Sequence, residues 1–188
     1  MLNVIAGLLN GAGAPASTTS YESIATTVVG SGGTSTVTFS SIPSTYKHLQ
    51  IRFLARSTRT QTQGSVVMRF NSDTGSNYAV HTVEGDGAAA SSNAYTSVAF
   101  GSLYEIPAAT ATASTFGAGV VDILDYTNTN KYTTNRAAQG YDRNGAGRVY
   151  LASSLWMNTA AVSTITFTEY NGLNFAEYSS FALYGIKG

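Results

Sequence analysis

Two histidines and ten carboxylates are the side chains of this sequence best suited to catalysis, and their spacing argues against it. A Ser/His/Asp triad needs a histidine held by a carboxylate and facing a nucleophile. His48 lies on the polar side of an alternating stretch and His81 in the middle of another. Neither sits in a nucleophile-elbow pattern or beside a second histidine at metal-ligand spacing. Glycoside hydrolysis needs two acids roughly 5–10 Å apart in a cleft. Here Glu84 and Asp86 fall on the turn Val83-Glu-Gly-Asp-Gly87, and Asp122 and Asp125 flank a strand end, positions where acids cap backbone. With no cysteine, thiol nucleophiles, thiolate metal sites and disulfides are absent together. The turn Asn71-Ser-Asp73-Thr-Gly75-Ser-Asn77 is like the opening of a calcium loop, but its twelfth position is Thr82 in place of a bidentate Glu. Asx-turn chemistry accounts for the same residues. The expectation is a protein that is not an enzyme, with no catalytic residues, no metal and no cofactor.

Recognition is a better use of the polar residues. Tyr126, Asn128, Asn130, Tyr132, Tyr141 and Arg143 lie in a Tyr/Asn/Arg-rich region from Asp125 to Tyr150, a composition suited to glycan or subunit contact. Between Ser23 and Ser72 there is no acid at all, while Lys47, Arg52, Arg56, Arg59 and Arg69 fall inside that stretch. If the strands carrying them pair, Lys47, Arg52, Arg56 and Arg69 form a basic face for an acidic polysaccharide, an acidic subunit or a nucleic acid. The interleaved aromatics of a single-strand binder are missing, so nucleic acid is the weakest of the three. Trp156, after Ser154-Leu155, reads as a core plug.

The elements that must position these groups are strands. At 188 residues, 43% hydrophobic, the chain fits one domain with a sizeable core. In Tyr46 to Ser57, Leu49, Ile51, Phe53 and Ala55 share one face; in Ser65 to Asn71, Val66, Met68 and Phe70 do the same. Further strands are predicted over 21–29, 34–39, 78–83, 116–126, 132–141, 148–156, 162–170 and 178–186. The Ala/Ser/Thr-rich middle, Gly85 to Thr115, reads as long loops with weak strands around Tyr95 to Phe100. No window has helical periodicity, and no βαβ rhythm or internal repeat interrupts the turns. The class is all-β, a jelly-roll-like β-sandwich with a closed barrel as runner-up. Ten basic and ten acidic residues cancel, so copies repel one another little and self-association is expected.

Residues 1–20 read as an N-terminal anchor and linker ahead of a sandwich over 21–188. Leu2, Val4, Ile5, Leu8 and Leu9 form an apolar tip on the small, polar leash Gly11 to Ser20, which suits docking into a neighbouring protein. The tip lacks the basic start of a secretory signal, and no stretch approaches the roughly 20 apolar residues that cross a bilayer.

Several segments occur together and in order: Tyr21-Glu-Ser-Ile-Ala-Thr26, Ser41-Ile-Pro-Ser-Thr-Tyr-Lys-His-Leu-Gln-Ile-Arg52, Arg69-Phe-Asn-Ser-Asp-Thr-Gly-Ser-Asn-Tyr78, Asp122-Ile-Leu-Asp-Tyr-Thr-Asn-Thr-Asn-Lys-Tyr132 and Tyr178-Ser-Ser-Phe-Ala-Leu-Tyr-Gly-Ile-Lys-Gly188. Over roughly Tyr21 to Gly188 the chain resembles a set of small virion structural proteins of tailed bacteriophages, of the tail, fibre or head decoration. The resemblance implies a multimeric β-sandwich on the virion surface, made in the host cytoplasm and partnered by other capsid or tail proteins. It brings no catalytic residues with it. A homotrimer is the expectation by analogy with phage fibres and decoration proteins. The alternative is a receptor-recognition module of the virion that binds host-surface glycan through the Tyr/Asn/Arg-rich region or the loops of the Ala/Ser/Thr-rich middle.

Overall fold

Period-two alternation in the sequence becomes twelve antiparallel strands in two sheets. The computed structural model describes residues 19–188, with residues 102–104 as backbone only. The strands are β1 (Tyr21–Val28), β2 (Thr36–Phe39), β3 (His48–Ala55), β4 (Gln63–Phe70), β5 (Tyr78–Gly85), β6 (Ala90–Val98), β7 (Ser102–Pro107), β8 (Gly117–Leu124), β9 (Thr133–Asp142), β10 (Gly147–Trp156), β11 (Ile165–Glu169) and β12 (Ser180–Ile186). Among the described residues there is no helix, hence none long and apolar enough to cross a membrane. The larger sheet has eight strands in the order β1-β12-β3-β8-β9-β10-β5-β6, and the smaller has four, β2-β11-β4-β7. The all-β sandwich expected from the sequence is what forms.

The core lies where the two sheets face one another. Leu49, Ile51, Phe53 and Ala55 of β3 point into it, as do Val66, Met68 and Phe70 of β4, matching the expected faces. Four rings gather at its centre: Phe181 lies 5.8 Å from Phe53, 5.2 Å from Phe167 and 5.0 Å from Phe175, centroid to centroid. Each fully buried ring contributes roughly 1.5–3 kcal/mol relative to an exposed one. Opposite Phe53 the register places Gly119, where a Cβ would come within 2.4 Å of the Phe53 ring. Only glycine leaves room for that ring.

Trp156 closes one end of the core, as expected, packed on Phe70 and Tyr78 at 5.6 and 6.3 Å. Its indole N–H donates to Asp73 Oδ2 at 2.7 Å. The same carboxylate accepts the Gly75 amide at 2.8 Å and the Asn77 side chain. The Asn71–Asn77 turn is therefore an Asx-type turn tied to the core.

Two expectations change. In the Ala/Ser/Thr-rich middle, β6 overlaps the weak strand expected around Tyr95 but begins at Ala90, and β7 forms where loops were expected, because ladder hydrogen bonds to β5 and β4 order a sequence with little hydrophobic contrast. β3 and β4 do not pair: β3 belongs to the larger sheet and β4 to the smaller. The proposed basic face therefore does not assemble.

Candidate functional site

Where the larger sheet runs on through β9, β10, β5 and β6, polar side chains take over the inner face. Alternation puts Thr82 and Glu84 on one side of β5, and Arg148 and Tyr150 on one side of β10, with Tyr150 opposite Glu84 in the ladder. Thr82 faces Asn93 of β6, and Glu84 faces Ser91. Glu105 enters from β7 of the other sheet. Together with Tyr95 these residues line a cleft of about 230 Å³.

Arg148 is the hub. Its Nη1 lies 3.4 Å from Glu84 Oε2, 3.5 Å from Glu105 Oε2 and 3.2 Å from the Tyr150 hydroxyl. Ser91 Oγ donates to Glu84 at 2.8 Å. Glu105 accepts the Tyr150 hydroxyl, the Gln63 amide at 2.7 Å and the Tyr141 hydroxyl at 3.3 Å. Burial, and then the hydrogen bond to Glu105, push the Tyr150 hydroxyl pKa well above its usual range. Burial and the Glu105 charge raise that of Tyr141. The hydrogen bond to Tyr150, with the two carboxylate charges, raises Arg148. Two carboxylates around one guanidinium leave the cleft with one net negative charge. Chemically it can accept hydroxyl hydrogens at the carboxylates, donate from Asn93 and offer the Tyr95 ring as a stacking face.

The residues singled out in the sequence go to different places. Tyr126 is buried and donates to the Pro43 carbonyl, with its pKa raised by burial. Asn128 accepts the Asn130 amide in a tight turn at 2.8 Å. Tyr132 is exposed at the start of β9. Tyr141 is buried at the other end, with the Arg143 guanidinium 5.5 Å above its ring. The length of β9, about 30 Å, separates the two groups. Of these, Tyr141 touches the cleft indirectly, by donating to Glu105.

The four cations of the expected basic face likewise disperse. Lys47 pairs with Asp125 at 2.9 Å. Arg52 stacks over Tyr184 at 5.3 Å on the outside of the larger sheet. Arg56 clamps the β7–β8 loop by donating to the carbonyls of Ala111, Thr112 and Thr115 at 3.0, 2.9 and 2.8 Å. Arg69 donates to the Ala99 carbonyl at 2.7 Å from the smaller sheet. Leu2, Val4, Ile5, Leu8 and Leu9 lie outside the described residues.

The acids weighed for hydrolysis also have structural partners. Asp86 caps Ala88 and Ala89 at 2.9 Å each, and Asp122 accepts Gln50 at 2.9 Å and Arg136 at 3.2 Å. Hydrogen bonds from Lys131 and Lys47 draw Asp125 down to about 2. His48 Nδ1 accepts the Asp125 amide at 3.0 Å. Among the described residues no group of three or more His, Asp or Glu side chains is placed to hold a metal ion.

The cleft itself was half legible. Spacing by two puts Thr82 beside Glu84 and Arg148 beside Tyr150 on single strand faces, but the register that brings the pairs together is long-range. Compared with protein-family models, curated proteins and solved structures, the chain matches none.

Proposed function

We propose that this chain is a structural protein of a tailed-bacteriophage virion, displayed on the particle surface as a homo-oligomer and docked through residues 1–20. The observation that carries the reading is the strand pairing. With the hairpins β5–β6 and β9–β10 set aside, β1–β12, β2–β11, β3–β8 and β4–β7 pair as one long hairpin folded over on itself. Those pairings support a jelly-roll path, an architecture common in viral capsid and lectin domains. The scarcity of chemically poised side chains, and the ordered phage-like segments over Tyr21 to Gly188, support the same reading. Its step from fold to role is one of analogy.

Cryo-electron microscopy of intact particles tests it, with the chain traced into density at the capsid or the tail. A protein lacking Met1 to Ala16 should fold and fail to join virions. Absence of the chain from purified particles would overturn the reading, and normal incorporation of the shortened protein would overturn the docking role. A second reading, host-glycan recognition, is favoured by the Glu84/Asn93/Tyr95/Glu105/Arg148 cleft. A glycan array separates it from pure decoration, which predicts no binding.

A further inference from the structure

The outer face of the larger sheet is more apolar than an exposed sheet face usually is. Antiparallel sheets with one covered face ordinarily turn polar residues to water. Here the ladder places Val83, Leu151, Ala138 and Val120 side by side across β5, β10, β9 and β8. Val149 and Leu54 stand in the next row of the same face, joined through Gly140 and Ala118. Val149 is 70% exposed, Leu151 57% and Leu54 49%. The face holds two shallow depressions, of about 740 and 570 Å³, one lined by Leu151 and the other by Val149. The exposed side chains of β10 form a ridge where the two hollows meet.

We infer that this face is the interface between copies of the chain, closed by the same face of a second copy. Three observations select that occupant. First, the ridge is apolar and borders two hollows of mixed lining, Val83 beside His81, Arg136 and Ser153 in one, Leu54 and Val120 beside Arg52 in the other, so the ridge of one copy can fill a hollow of the next, as a self-complementary contact requires. Second, β-sheets twist with one hand, so an eight-stranded sheet is matched best by a partner with the same twist, which an identical sheet has; aligned sheets pack face to face at about 30°. Third, the area suffices. Four strand spacings of about 4.8 Å, from β3 to β5, and about 20 Å along the strands give an apolar centre of roughly 400 Å² per copy, and the polar remainder of the eight-stranded face supplies the rim of an interface of roughly 800 Å² per partner. Arg52 stands beside Val120 in one hollow, and Arg136, paired with Asp122, lines the other, so the charges on the face include both signs, and the neutral chain adds no repulsion between copies.

The inference deepens only the homo-oligomer part of the proposed function, and purified protein tests it without reference to virions. Sedimentation velocity of the full chain should show an assembly of two or more copies. Leu151→Glu and Val149→Glu put a charge on the ridge and should each weaken self-association on the order of 30-fold or more, with the sheet signature in circular dichroism retained. Should either variant lose that signature, Val83→Arg on the neighbouring strand gives the same reading. Thr38→Glu, on the outside of the smaller sheet, should leave the assembly intact. A wild-type chain that stays monomeric at every concentration would overturn the inference. So would an assembly indifferent to the ridge charges; virion display would stand in either case.

Discussion

One half of the larger sheet is packed on hydrocarbon, and the other half carries polar side chains on the same inner face. Along β12, β3 and β8 the buried residues are almost all hydrophobic: Phe181, Leu183, Leu49, Ile51, Phe53, Val121 and Ile123. Along β9 and β10 the buried set is mixed, with Asn135, Gln139, Ser154 and the hydroxyl-bearing Tyr141 and Tyr150 among the alanines. β6, at the far edge, is exposed on both sides along most of its length. The hydrogen-bond ladder is continuous across both halves, so backbone pairing does not distinguish them. What differs is the apolar lid. Strands facing the smaller sheet exchange water for hydrocarbon, while β9 and β10 bury hydroxyl and amide groups on the same inner face.

The largest effect should come from breaking the first half. Phe181→Ala removes the ring at the centre of the four-phenylalanine cluster and leaves a cavity, at a cost of about 3–5 kcal/mol. Urea denaturation followed by tryptophan fluorescence reads the loss directly, because Trp156 is the only tryptophan. A loss below about 1 kcal/mol would mean that the core is not the seat of stability, and the contrast between the halves would fall.

An intermediate effect is expected where the second half is tied to the smaller sheet. Asp73 ties the β4–β5 turn to Trp156. Burial tends to raise its pKa, but hydrogen bonds from Trp156, Asn77 and Gly75 outweigh it and hold the carboxyl below its ordinary value. Its contribution to stability is complete above the unfolded value of about 3.9 and is lost as pH falls through the lower, folded value. Asp73→Ala should cost about 1–3 kcal/mol at neutral pH by leaving the indole N–H and turn amides unpaired. Melting temperatures of wild type and variant should converge as pH drops below 4. A gap that persists at the lowest pH would show that the carboxylate charge is not what holds the turn.

The two halves were also unequally legible in the sequence. β3, in the first half, announced itself, since a face buried against a second sheet demands strict alternation of apolar residues. β6 did not. Ala90-Ser-Ser-Asn-Ala-Tyr95 has both faces open, so nothing forces a hydrophobic contrast, and only the ladder to β5 makes it a strand. Tyrosine misled in the opposite direction. Tyr126 and Tyr141 look like surface contacts in a polar stretch, yet each buries its ring and spends its hydroxyl on a partner inside. Which sheet a strand joins was not written locally either, and the scattering of Lys47, Arg52, Arg56 and Arg69 follows from that.

The smallest stability effect sharpens the comparison furthest. Tyr95 stands on the exposed strand at the rim of the cleft, with little packing to lose. Tyr95→Ala should change stability by no more than about 0.5 kcal/mol, the range of ordinary surface substitutions. Its ring is nonetheless the stacking face of the cleft, where one base-like or sugar-like ring contact contributes on the order of 1 kcal/mol. If the cleft recognises glycan, Tyr95→Ala should leave the melting curve in place and lower glycan-array signal several-fold. A variant that melts early would put Tyr95 with the core-holding residues and erase the line between the halves. A variant that melts normally and binds any wild-type glycan target unchanged would remove the cleft from recognition.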